Sequence, residues 1–500
     1  MTNTKLAATL PRDCFSGTVV FLVALPLCLG IAQASGVEPF AGLLAGIIGG
    51  LVISLLSGSQ LSVSGPAAGL IMIVVDGIAN VGGFPAFLSA VLVGGAMQFC
   101  FGVLKAGRLA AYVPTPVIKG MLAAIGLLLI VKQAPVALGL ATGGTAGAAP
   151  AGYAAGFLET PFGTTSLLAC AIAVISLAIL FGWESRLMRR LPLIGLVPAP
   201  LVVVAFGVAV TFGIDAFAPA LALPASYRVN LAPLDSMAAL SSVLAAPDLT
   251  QLANFDVWRL AATIAIVASL ETLLCLEAIE QMDPQKRAAS PDRELKAQGV
   301  GNMLAGLLGG LPITSVIVRS SANLHAGARS RMSAFVHGLL LLASVFVLSG
   351  ILNKIPLACL AAILIATGYK LAKPALFVDV AKRGMNALVP FLATIGGVLA
   401  TDLLIGIGLG IACSIVLALH PNLRNPFSIA RHGNEFLLLF RKDVSCFIRV
   451  KLKQHLAQIP DRATLIVDTS RADFVDPDVR HMISEFAAQS AHRGISVSWR

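Results

Sequence analysis

Within an apolar chain, the run Gly309-Gly310-Leu311-Pro312-Ile313-Thr314-Ser315-Val316-Ile317-Val318-Arg319-Ser320 gathers a glycine pair, a proline, hydroxyl side chains and an arginine. An ordinary lipid-facing helix does not carry these together, because broken backbone survives at membrane depth only where protein or a water-filled cavity surrounds it. No nucleophile with an adjacent base and no metal-ligand cluster accompanies the run, so the chemistry on offer is recognition rather than bond making. A helix starting at this break would aim its free N–H groups and about half a positive charge at the gap. Arg319, about two turns in, would add a full charge, and together these are the ingredients of an anion site.

A second break of the same kind lies earlier, in Leu61-Ser62-Val63-Ser64-Gly65-Pro66-Ala67-Ala68-Gly69. Each break joins an extended lead-in and a Gly/Pro interruption to a helical run, with proline expected at the first turn, where its missing N–H costs nothing. The two lie seven apolar segments apart, in the third and the tenth, and an odd offset inverts the second copy, as in transporters whose site lies where two inverted repeats meet. The site expected from these residues is Ser64, Gly65, Pro66, Ala67 and Ala68 facing Thr314, Ser315, Val316 and Arg319, with helices beginning at Ala67 and Thr314. A competing reading makes each break a kink and Arg319 a snorkelling arginine near one membrane face. An arginine at depth costs about 2.5–3.5 kcal/mol or more, which favours a polar cavity around it.

Glu271 is the deepest acid, preceded by a dozen mostly apolar residues. It cannot sit ionised against lipid, which makes it a candidate proton or sodium relay; the alternative is a structural partner for Arg319 or a hydroxyl. Lys119 and Lys132 read as interfacial anchors, Asp76 and Asp402 as span-end residues, and His325 and His337 as structural, since neither has metal-ligand spacing. Eight cysteines without a C-x-x-C pair imply neither a disulfide framework nor a metal site.

These residues need a scaffold, and the composition supplies its class. With 57% hydrophobic and 12% charged residues and a mean hydropathy of +0.88, the chain reads as a polytopic α-helical membrane protein. About fourteen apolar windows near the ~20 residues that cross a bilayer run from 15–35 to 402–420. Seventeen Lys and Arg, among them Lys105, Arg108, Arg186, Arg189, Arg190, Lys286, Arg287, Lys382 and Arg383, fall on one side of the alternating loops. The opposite side holds Arg228 and Lys354, with Arg259 at a boundary, so both termini are expected in the cytoplasm and the net charge of +10 reflects topology rather than nucleic acid. The first span is expected to be retained rather than cleaved. After about residue 420 charges become frequent. Residues 435–440, 445–451, 463–467 and 495–499 read as strands and 476–493 as an amphipathic helix, giving a small cytoplasmic α/β domain over 421–500.

The motifs Ala24-Leu25-Pro26-Leu27, Ser64-Gly65-Pro66, Val113-Pro114-Thr115-Pro116, Leu270-Glu271-Thr272-Leu273-Leu274 and Gly299-Val300-Gly301-Asn302 through Arg319 resemble the sulfate permease (SulP) family of anion transporters. The resemblance implies a 7+7 inverted repeat over residues 1–420, with a core domain (spans 1–4 and 8–11) moving against a gate domain (spans 5–7 and 12–14). It also implies substrate between spans 3 and 10, membrane lipid around a homodimer, and a bacterial cytoplasmic membrane location. The tail resembles a shortened STAS domain, with Asp468-Thr469-Ser470 and Phe474-Val475-Asp476 at its strand-to-helix loop and Pro477 and Asp478 where soluble relatives place a phosphorylatable serine. Glu271 and Cys275 stand where sodium-coupled members place an aspartate and a threonine, and Ala67 replaces a hydroxyl. The resemblance therefore implies proton coupling ahead of sodium.

Together these readings predict secondary active transport of sulfate or bicarbonate by an elevator-like movement, with no cofactor beyond a coupling proton or sodium ion and no enzymatic activity. The branch resembled is often linked with carbonic anhydrase. The rivals are a channel or exchanger for chloride or dicarboxylate, and a nucleobase permease of the same architecture, which would need carboxylates on spans 8 and 10.

Overall fold

The computed structural model describes residues 3–107, 114–140, 164–183, 197–232, 243–424, 427–441, 449–472, 475, 477–490 and 493–500. Expectations that rest on residues 108–113, 186–190, 445–448, Phe474 and Asp476, and on the side chains of Pro477 and Asp478, lie outside the described residues.

The chain begins with α1 (Asn3–Ala34) and α2 (Pro39–Ile48), the latter continued by a π-helical turn over Gly49–Ile53 and a last turn over Ser54–Leu56. A short strand β1 (Ser64–Pro66) and a 3-10 turn (Ala68–Leu70) lead into α3 (Ile71–Val81). Then come α4 (Phe84–Val103), α5 (Thr115–Ala137), α6 (Thr164–Trp183) and α7 (Ala199–Phe217). The order then repeats: α8 (Phe255–Met282), α9 (Pro291–Leu308), a short strand β2 (Ile313–Ser315) opening α10 (Ile317–His325), then α11 (Met332–Val347) and α12 (Leu357–Leu371). After α13 (Pro374–Lys382), α14 (Met385–Ala400) and α15 (Leu403–Arg424) complete the helical part.

Local sequence explains the helix starts. Proline stands in the first turn of α2, α4, α5, α7 and α9, where its missing N–H has no helical acceptor to serve and its fixed φ suits the helix. The start of α9 also carries a Ser290 cap, whose side chain accepts from the Arg293 N–H, and two acids, Asp292 and Glu294, in the first turn. By length and composition seven helices among the described residues can cross a membrane, and five shorter apolar ones, including the one after the first break and α11, accompany them. α9 packs along α4, α12 along α5, and α11 along α1 and the π-helical turn of α2. The molecule is thus a polytopic α-helical membrane protein whose second half repeats the order of the first.

The chain divides into one compact unit of Met1–Asp379 with Thr394–Ile407 and a second of Val380–Ala393 with Gly408–Arg500. The second contains a four-stranded sheet in the order β3 (Phe427–His432), β4 (Glu435–Phe440), β5 (Thr464–Asp468), β6 (Ser496–Trp499). β3 and β4 form an antiparallel hairpin, while β4, β5 and β6 run parallel, with helices over Arg449–Ala457 and Pro477–Ser490 between them. Leu438, Phe440, Leu465, Val467, Leu452 and Ile483 form its buried core. Two sequence expectations change here. Residues 449–451, predicted as strand, begin a helix, because Leu452 and Leu456 form an i, i+4 stripe facing that core. β3 was not predicted, and the hairpin turn at Gly433, with φ of +60°, is what pairs it to β4. The Ser470 side chain and backbone N–H hold the Asp468 carboxyl below its ordinary value.

Candidate anion-binding site

The two breaks meet. β1 and β2 pair antiparallel, with Ser64 opposite Ser315, Gly65 opposite Thr314 and Pro66 opposite Ile313. Each strand turns at once into a helix, through Ala67 (φ −106°, ψ 134°) in the first case and Val316 (φ −114°, ψ 119°) in the second. Neither cap residue has a side-chain hydrogen bond to the helix, and since the Leu70 and Ile71 N–H groups go to the Ala67 and Ala68 carbonyls, the N–H groups left for another acceptor are those at the very start of each helical run. The sequence predicts proline at the first turn of each half-helix. Instead Pro66 is the last residue of β1 and Pro312 precedes β2, where they hold Gly65 and Leu311 out of helical conformation. The second helix likewise begins after Val316 rather than at Thr314, and Arg319 falls in its first turn rather than two turns in.

A polar frame fixes this crossing. Asn302 on α9 donates to the Ile313 carbonyl at 3.0 Å, accepts from the Ile313 N–H at 2.6 Å, and donates to Gln98 of α4 at 2.8 Å. Gln298, one turn earlier, donates to Ser64 Oγ at 2.7 Å and to Glu294 at 3.0 Å, and Glu294 accepts from Ser57 and the Gly58 N–H. The Ser315 N–H donates to Thr272 Oγ1, and Ser315 Oγ contacts Cys275 and Ser62. From α10, Ser320 Oγ accepts from the Val63 N–H at 2.9 Å, and Asn323 donates to the Leu61 carbonyl at 3.0 Å. The frame residues Glu294, Gln298 and Gln98 are absent from the predicted site, although 294, 298 and 302 repeat every four residues along one face of a span, a visible signal of a polar stripe.

Arg319 is fully buried. Its Nη2 donates to the Pro66 carbonyl at 3.4 Å, while Nε and Nη1 have no partner. Gly65 makes room for it, since a Cβ there would lie 2.1 Å from Nη1. Glu271 stands across the break with Oε2 unpartnered, and a Cβ on Gly69 would lie 3.0 Å from that oxygen. No ion pair joins Glu271 and Arg319 among the described residues, and both side chains line one shared space.

That space is a cavity of about 60 Å³. It is lined by Leu27, Ala68, Gly69, Glu271 and the run Ser315–Arg319, together with Met121, Ile125, Thr367 and Leu371 from α5 and α12. A larger cavity of about 380 Å³ also touches Gly69 and Ile125 and reaches Asp76 and Asn80 on α3, Asp256 and Arg259 at the start of α8, and Asp402 just before α15. The structure therefore brings Ala68, Ser315, Val316, Arg319 and Glu271 to one cavity. Ser64, Gly65, Pro66 and Thr314 form the strand crossing behind it, Ala67 caps the turn before α3, and Cys275 faces Ser315 and Ser320 rather than the cavity.

Residues 10–394 match the model of the sulfate permease family. The chain belongs to that family. It is 30% identical over 411 residues to "Putative sulfate transporter YvdB" of Bacillus subtilis, covering 81% of this chain and 73% of the relative. Identity to the bicarbonate transporter BicA of a Picosynechococcus species is 24% over 421 residues, covering 81% of this chain and 70% of BicA. Among solved structures, the transmembrane domain of a cyanobacterial BicA superposes with a TM-score of 0.64 at 21% identity, over 81% of this chain and 97% of that domain. The overall structure of SLC26A9 superposes with a TM-score of 0.77 at 16% identity, over 99% of this chain and 84% of that one. At such identities the structures establish the fold, and the second extends it through the carboxy-terminal sheet.

Proposed function

We propose that the protein is a secondary active transporter of a small inorganic anion, sulfate or bicarbonate, held at the cavity between the 3-10 turn before α3 and the first turn of α10. The observation that carries this reading is Arg319, a buried guanidinium with two unpartnered nitrogens and no protein carboxylate paired to it, set in the first turn of a helix whose leading N–H groups face the same space. A buried cation without a counterion is costly, and an anion between two helix N-termini relieves that cost without being locked in place. Membership of the sulfate permease family and the sulfate- and bicarbonate-transporter names of its relatives support the substrate class.

Glu271 is the coupling residue of this proposal, exchanging a proton or a sodium ion as the anion binds and leaves. The lining supports an elevator movement, because it combines residues of α1, α8, α10 and the 3-10 turn before α3 with residues of α5 and α12, helices that the expected division assigns to core and to gate. Cytoplasmic termini, supported by the basic loops, a bacterial cytoplasmic membrane and a homodimer complete it. The STAS-like sheet takes a structural or assembly role, and a bicarbonate substrate would link the protein to carbonic anhydrase. Uptake of labelled sulfate and bicarbonate into proteoliposomes, with and without pH and sodium gradients, tests both substrate and coupling. Gradient-driven accumulation of one of the two anions, lost in Glu271→Gln, is the expected result; no accumulation of either overturns the proposal.

A further inference from the structure

Another cavity lies near the amino-terminal end of α1, away from the transport site. Pro11, Arg12 and Phe15 of α1, with Ala326, Gly327 and Arg329 from the turn between α10 and α11, line this open space of about 440 Å³. Hydrogen bonds fix the turn. Asp13, buried on α1, accepts from the Arg329 N–H at 2.7 Å, the Ser330 N–H at 3.0 Å and Ser330 Oγ at 2.6 Å, and Arg287 donates to the Arg329 carbonyl at 2.7 Å. Ser16 Oγ donates to the Ala326 carbonyl at 3.0 Å, and the Ala326, Gly327 and Ala328 N–H groups take up carbonyls of the last turns of α10. The backbone of Arg329 is thus held at both its N–H and its carbonyl, while its side chain stays exposed. The guanidiniums of Arg12 and Arg329 have no hydrogen bond or ion pair among the described residues. Among those residues no carboxylate lines the cavity: Asp13 is engaged by the turn, and Asp283 is paired with Arg287 at 2.7 Å. The apolar span of α1 begins at Thr9 and α11 begins at Met332, so the cavity lies at the ends of membrane helices, at the depth of the lipid headgroups.

We propose that this cavity binds the headgroup phosphate of an anionic phospholipid, with Arg12 and Arg329 holding the phosphate and Phe15 beside the glycerol and acyl chains. The planar fork of arginine matches phosphate oxygens two at a time, and basic pockets between membrane helices on the cytoplasmic side, where the proposed orientation puts this cavity, recognise such headgroups. Two unpaired guanidiniums select an anionic lipid over a zwitterionic one, whose own cation would enter the same positive field. The apolar lining of Pro11, Phe15 and Ala326 favours a lipid over free phosphate, which has no apolar part to bury. The occupant bridges α1 and the end of α10, which also carry Leu27 and Arg319 of the anion cavity, so it ties together two of the elements that build that cavity. The lipid site stands whichever anion the protein carries.

The test is displacement of a fluorescent phosphatidylglycerol from the purified protein in neutral detergent by unlabelled phosphatidylglycerol, by phosphatidylcholine of the same chains and by inorganic phosphate. The expected result is saturable binding by the parent that phosphatidylglycerol displaces and the other two do not. Arg12→Gln and Arg329→Gln should each weaken it about fivefold, the effect of one basic residue on an anionic headgroup, and the double variant should weaken it further. Melting temperatures should stay at the parental value, since neither guanidinium holds another residue. Lys382→Gln, which removes an exposed charge from the end of α13, should bind like the parent. Arginine variants that bind like the parent overturn the inference, as does equal weakening by Lys382→Gln, which marks a diffuse effect of charge. Displacement by inorganic phosphate as effective as by phosphatidylglycerol overturns it in favour of a free-phosphate site, and equal displacement by phosphatidylcholine in favour of a site for any phospholipid. A lowered melting temperature in both arginine variants makes the pair structural and overturns it, and a parent without saturable binding does so outright.

Discussion

Arg319 keeps a guanidinium inside the membrane part with one hydrogen bond to a carbonyl, and the residue that permits this is Gly65. A methyl group at Gly65 would lie 2.1 Å from Nη1, and what it meets is the end of a flexible side chain rather than backbone. Gly65→Ala is therefore expected to fold with a melting temperature near the parent's while pushing the guanidinium off its place, lowering anion uptake at least about tenfold, or about 1.4 kcal/mol. Uptake at the parental rate would show that the position of Arg319 does not matter. At this scale much was legible. An arginine and a glutamate in apolar sequence announced a polar cavity, because ionisable groups at depth are costly. Which nitrogen is tethered, and that the acid and the base do not pair, depend on packing between segments some 250 residues apart and leave no mark in sequence.

The strand crossing and the polar stripe of α9 form the element that holds the two helix starts in register. Asn302 satisfies both the N–H and the carbonyl of Ile313. Asn302→Leu leaves these buried groups unpaired at about 1–3 kcal/mol each, and the expected outcome is a clear fall in melting temperature in detergent, with uptake lost through misplacement of β2. An unchanged melting temperature would mean the crossing is held by other contacts. The repeated Gly/Pro breaks were visible as breaks, and their inverted relation followed from the odd offset, from the third apolar segment to the tenth. Their pairing as strands was not, since three residues are too few to show a period of two. The same limit moved both prolines from the helices into and before the strands. In the carboxy-terminal part, β4, β5 and β6 were legible from apolar alternation, whereas β3 and the helix from Arg449 depend on the core they cover.

For the whole molecule, the proposed orientation, which rests on the basic loops, has the loops after α8 and α13 in the cytoplasm and the loop after α7 outside. Single cysteines at Leu221 and Lys286, both exposed, test this in a background where the exposed Cys14 and Cys100 are replaced. A membrane-impermeant thiol reagent applied to intact cells should label Leu221→Cys and should reach Lys286→Cys only after permeabilisation; the opposite pattern would invert the topology. The cavity of about 380 Å³ reaches Asp256 and Arg259 at the start of α8, the end that this orientation places outside.

The central claim is that an anion sits between the 3-10 turn before α3 and the first turn of α10 and completes the charge of Arg319. Equilibrium binding of labelled sulfate to purified protein, parent against Arg319→Ala, tests it most directly. Charge-assisted hydrogen bonds are the strong ones, so saturable binding by the parent and an affinity at least about tenfold weaker in the variant are expected. Equal affinity in the two proteins would contradict the account.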